Sequence, residues 1–130
     1  AGAEERGLKI LRIIAIVSAL SLMIGGAYRS WGVGRPVAFW MDDMLVGALI
    51  ITAAIFLRRE TVPRRALFTG AWGVAMGMLY GSFFGKVFDP ASSNPGNFDL
   101  GLLTALIGAA FAVSVAGFVA SIAIPFKPTN

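Results

Sequence analysis

The stretch Phe39–Arg59, "FWMDDMLVGALIITAAIFLRR", decides the fold. From Met44 to Leu57 it carries no charge, and with the residues just before it forms an apolar block over roughly 36–57. At about 1.5 Å per residue, such a block crosses a hydrocarbon core about 30 Å thick. Two adjacent aspartates, Asp42 and Asp43, stand near its start. A charge inside a membrane is costly and must face the protein interior or water, so these two residues are the first candidates for a site.

Three further apolar blocks follow the same rule, at roughly 8–28, 66–85 and 100–124. None shows the short alternating segments of a membrane β-barrel. The sequence predicts an all-α integral membrane protein, a four-transmembrane-helix bundle folded as a single domain over 1–130. Composition agrees: 57% of residues are hydrophobic and 14% are charged, too few charges for an ordinary soluble domain.

The net charge of +4 matters through its distribution. Arg6, Lys9 and Arg12 precede or open helix one, Arg58, Arg59, Arg64 and Arg65 fill the loop between helices two and three, and Lys127 lies in the tail. The other side has Arg29, Arg35 and Lys86. The bias predicts both termini in the cytoplasm. It also gives the positive charge a role without nucleic acid, for which there is no aromatic platform or basic soluble face. The four loop arginines are expected to fix topology, with contact to anionic lipid headgroups as a second use.

Cysteine and histidine are both absent from the chain. Thiol chemistry, zinc sites of the usual kind and histidine-ligated haem are therefore excluded, and no metal or cofactor is expected. No nucleophile–base set accompanies the carboxylates, so the chain reads as non-enzymatic.

Helix three holds the most regular pattern. Gly70, Gly73, Gly77, Gly81 and Gly85 share an arc of roughly 120° at about 100° per residue. Helix four offers a matching row at Gly101, Ala105, Gly108, Ala112 and Ala116. Lipid provides no hydrophobic force between helices, so close backbone approach at small residues drives packing. The two rows are expected to pack against each other inside the bundle, or to mediate self-association or docking to a membrane partner.

Counting outward from Leu57 places Asp42 and Asp43 roughly 6–8 Å below the outer hydrocarbon edge. Adjacent helical residues point about 100° apart. Asp43 shares its face with Gly47, Ile50 and Ala54, which makes it the better candidate for the interior. Structural ion pairs with Arg29, Arg35 or Lys86 are the expected arrangement, and a proton- or cation-handling site is the alternative.

In size and helix count the chain is similar to small multidrug exporters. Their membrane carboxylate is a glutamate in the first helix, where this chain has no acid, and the likeness ends there. More broadly it resembles the small four-helix proteins of bacterial inner membranes. The expected role is a small inner-membrane subunit or scaffold, in a homo-oligomer or larger membrane complex surrounded by lipid. The competing expectation is a small oligomeric proton- or cation-coupled transporter or channel using Asp42 or Asp43.

Overall fold

The computed structural model describes residues 2–127, and the chain ends lie outside that range. Among the described residues there are four long α-helices and no strand: α1 (Gly2–Ser30), α2 (Ala38–Phe56), α3 (Val62–Phe88) and α4 (Leu100–Ala123), with a short 3-10 turn at Pro90–Ser92. All four are long and apolar enough to cross a membrane. The chain is an integral membrane protein built as a helical bundle.

Local chemistry sets the helix limits. Thr61 caps α3 by accepting from the Arg64 amide, and Pro63 follows where its missing N–H is harmless. Asp99 caps α4 by accepting from the Leu102 amide at 3.1 Å. Pro36 lies just before α2, and its carbonyl accepts from the Phe39 amide. The short link between α1 and α2 turns through Gly32 and Gly34, at φ 71° and 72°, a backbone region that favours glycine.

The helices form two antiparallel hairpins, α1–α2 and α3–α4, joined through a smaller α2–α3 contact. Of the neighbouring pairs, α1 and α4 meet least. The buried core is Leu11, Ala15 and Ala19 of α1, Val46 to Leu57 of α2 at helical spacing, and Phe68, Ala71, Trp72 and Ala75 of α3. Most of these residues lie in the half of the bundle that holds the arginine-rich loop. Alanine dominates, as expected where dispersion contact between close backbones replaces the hydrophobic effect.

Most of the glycine row of α3 faces away from the rest of the bundle. A Cβ added at Gly70, Gly77, Gly81 or Gly85 would meet nothing within 4 Å. Those four glycines face outward. Trp72 and Leu79 stand about 180–200° around the helix from Gly70, so α3 buries the opposite face, where large side chains remove more surface. Of the two rows, Gly73 packs on Phe118 and Gly108 on Phe83, while Gly101 sits beside the capping Asp99. Further close approaches lie outside the rows. Gly117 of α4 receives the Trp72 ring, Gly47 of α2 receives Met23, and Gly26 of α1 receives the Asp43 side chain.

The arginines at the core-rich end close the bundle. Arg12 Nε donates to the Ala54 carbonyl at 2.7 Å, and Arg64 donates to the Phe56 carbonyl at 2.9 Å while lying over the Phe56 ring. Arg65 pairs with Glu60 and donates to the carbonyls of Ser121 and Ile124. These carbonyls end α2 and α4, where the last turn has no partner of its own and the helix dipole favours a cation. Arg65 is buried in the protein and Arg64 is half-buried against it, which leaves Arg58 and Arg59 exposed.

Candidate functional site

The other half of the bundle encloses a cavity of about 600 Å³. Its mouth lies at the end of α1, the start of α2 and the end of α3, where Arg29, Arg35, Asp42, Asp43 and Lys86 all line it. Its floor is formed by Ser18, Ile50, Trp72 and Ser114, close to the middle of their helices. Below the floor the bundle is packed by Ala15, Ala54, Phe68 and Ala71. The cavity therefore enters from one end and stops partway.

Asp43 is half-buried and Asp42 exposed, as expected from the faces they share. Asp42 accepts a hydrogen bond from the Asp43 amide at 2.8 Å. The Asp43 carboxylate reaches across to α1, and a Cβ at Gly26 would lie 2.6 Å from its Oδ2. Only a glycine leaves room for it there.

All five mouth residues come together, but the expected ion pairs do not form. Among the described residues neither aspartate has a basic group within 4.0 Å. Each cation has another partner. Arg29 donates through Nε and Nη2 to the Asn94 carbonyl, at 2.9 and 2.6 Å. Arg35 donates to Ser30 Oγ at 2.8 Å and to the Phe39 carbonyl at 3.2 Å. Lys86 Nζ donates to Ser82 Oγ at 2.9 Å, one turn back on its own helix. Oxygens of the loops and helix ends are nearer to these cations than the carboxylates are, so the mouth keeps charges of both signs apart. They still lie within electrostatic reach of one another.

The connection 89–99 forms the rim. Asn97 Nδ2 donates to the carbonyls of Tyr28 and Trp31 at 2.8 and 2.7 Å, which caps the end of α1. Its amide donates to the Arg29 carbonyl at 3.1 Å. Gly96, at φ 60°, presses so closely on that carbonyl that a Cβ cannot fit. Phe98 meets Tyr28 edge to face at 4.8 Å and lines the cavity.

The floor holds a group that sequence reading missed. Trp72 is 1% exposed, and its Nε1 has no hydrogen-bond partner among the described residues. A buried donor without an acceptor costs about 1–3 kcal/mol. Two signals in the sequence pointed to this interior. Trp72 is the one tryptophan in mid-helix, whereas Trp31 and Trp40 stand near helix ends. Ser18 and Ser21 in α1, and Ser114 in α4, interrupt apolar runs.

Among the described residues no cluster of three or more metal-binding side chains occurs. The arrangement can hold a molecule of mixed character, with charge at one end and apolar walls along the shaft. Comparison with known proteins finds no family model, no curated protein and no solved structure that matches this chain.

Proposed function

We propose that this chain is a non-enzymatic protein of the bacterial inner membrane, with both termini cytoplasmic, that binds a small molecule in a cavity facing outward. The observation that carries this reading is the cavity itself, about 600 Å³ with Arg29, Arg35, Asp42, Asp43 and Lys86 around its mouth. Ligand sites are concave, largely apolar and marked by a few convergent polar groups. The outward direction follows from the charge bias, which puts the arginine-rich end inside. Transport coupled to Asp42 or Asp43 would require the packed half below Trp72 to open, so binding rather than passage is proposed.

The test is a thermal-shift screen on purified protein, run in parallel on Ala110→Trp. Ala110 lines the cavity, and the larger side chain fills it. A ligand of this site stabilises the natural protein and not the filled variant. A panel that shifts both equally, or neither, removes the reading.

A second reading has its own support. The outward row Gly70, Gly77, Gly81 and Gly85 has nothing within 4 Å, which leaves α3 free to approach another helix closely. It favours a role as subunit of a homo-oligomer or larger membrane complex. Native mass spectrometry of the natural protein and Gly77→Leu tests it: loss of an oligomer in the variant supports it, and a monomer in both removes it.

A further inference from the structure

We propose that the ligand is a zwitterionic amphiphile, whose hydrocarbon chain enters the cavity sideways from the surrounding lipid between α1 and α4. This rests on the reading of the cavity as a binding site, and adds the route and the ligand class.

The route follows from the seam. α1 and α4 meet least of the neighbouring helices. Val17 and Ser21 on α1 and Leu106 and Val113 on α4 line the cavity, yet all four are exposed. Residues that do both stand at an opening. These lie well below the charged mouth, on spans that face hydrocarbon in a membrane. A mainly apolar opening at that depth admits a hydrocarbon chain and rejects a hydrated solute, which would lose its water without replacement.

The shape agrees. Lys86 at the mouth and Trp72 at the floor are fourteen positions apart on α3, or about 21 Å along the helix. A cavity of that depth takes an extended hydrocarbon chain lengthwise.

The mouth specifies the head. Lys86 is 7% exposed, and among the described residues it bonds only to Ser82 of its own helix. A buried ammonium is best stabilised by an anion. Among the described residues the Asp43 carboxylate has no ion-pair partner within 4.0 Å. A purely anionic head would meet Asp42 and Asp43, and a purely cationic one would meet Arg29, Arg35 and Lys86. A head carrying both signs, its anion toward Lys86 and its ammonium toward Asp43, satisfies each. The charges that stay apart in the protein are then joined through the ligand.

The experiment is native mass spectrometry of the detergent-solubilised protein titrated with four probes. These are lysophosphatidylethanolamine and lysophosphatidylcholine (zwitterionic), lysophosphatidylglycerol (anionic), and glycerophosphocholine, which has a head and no chain. The expected order is both zwitterionic lysolipids ahead of the anionic one by about tenfold, the scale of one hydrogen bond to a charged group, with the chainless head weakest. Lys86→Met should weaken the zwitterions about tenfold, and Asp43→Asn should move the preference toward lysophosphatidylglycerol. A merely structural role for either residue would not swap selectivity. Equal or tighter binding of the anionic lysolipid overturns the head assignment while leaving the cavity as a binding site. Equal binding of the chainless head overturns the chain and its lateral route. Lysolipid binding undiminished in Ala110→Trp, or absent from the natural protein, overturns this inference; the thermal-shift screen on the same two proteins then decides separately whether the cavity binds anything else.

Discussion

A Cβ placed on Gly117 would lie 2.6 Å from Cδ2 and Cε2 of Trp72, within the buried ring itself. α4 can approach α3 there because position 117 has no side chain, and the ring that fills the space also forms the cavity floor. Gly117→Ala should therefore destabilise the bundle by about 1–3 kcal/mol, the usual cost of overpacking. Gly77→Ala, where the added methyl meets nothing within 4 Å, should not lower the melting temperature. Equal melting of the two variants would contradict the packing described.

Asp43→Asn is expected to leave stability within about 1 kcal/mol of the natural protein, or to raise it, because no basic group among the described residues stands within 4.0 Å to lose its partner. Gly26→Val should be far more damaging, since its side chain would take the space of the Asp43 carboxylate. Chemical denaturation of both variants in detergent reads the difference. A large loss in Asp43→Asn would mean that the charges are paired directly.

Arg65→Met removes a buried ion pair with Glu60 and the hydrogen bonds to the last carbonyls of α4. Breaking one side of a buried pair costs about 3–5 kcal/mol, and replacing both charged members with apolar residues often recovers part of it. The double change Arg65→Met with Glu60→Leu should thus melt above the single change. The order of the two melting temperatures is the check.

Asn97→Ala should loosen the rim without unfolding the bundle. It removes two hydrogen bonds from the end of α1, a loss of about 1 kcal/mol at an exposed position. Proteinase K should cut the 89–99 connection faster in the variant while the helices stay protected. An unchanged cleavage rate would show that Gly96 and Phe98 hold the rim alone.

The orientation is open to direct labelling, because the chain has no cysteine of its own. Ala91→Cys and Arg59→Cys, both at exposed positions, should react with an impermeant thiol reagent from opposite sides. Access to Ala91→Cys from outside, with Arg59→Cys protected, is the expected result. The reverse pattern would turn the cavity mouth toward the cytoplasm.

Four membrane helices were legible in the sequence because crossing a membrane is a matter of segment length and apolarity, which are local properties. The same holds for Asp43 facing further inward than Asp42, since helical spacing fixes relative direction. Which face of α3 is buried was not legible. Its glycine row and its Phe68–Trp72–Leu79 face are both regular, and the choice depends on which one α4 can match; Gly117 opposite Trp72 settles it. The partners of the mouth charges depended on tertiary structure too. Sequence puts two acids and three bases near one end of the bundle, but only the folded chain brings Ser30, Ser82 and the Asn94 carbonyl within hydrogen-bond reach of the bases. The cavity is the same kind of fact: no residue encodes it alone, and it exists because α1 and α4 stay apart along one seam while the other three contacts close.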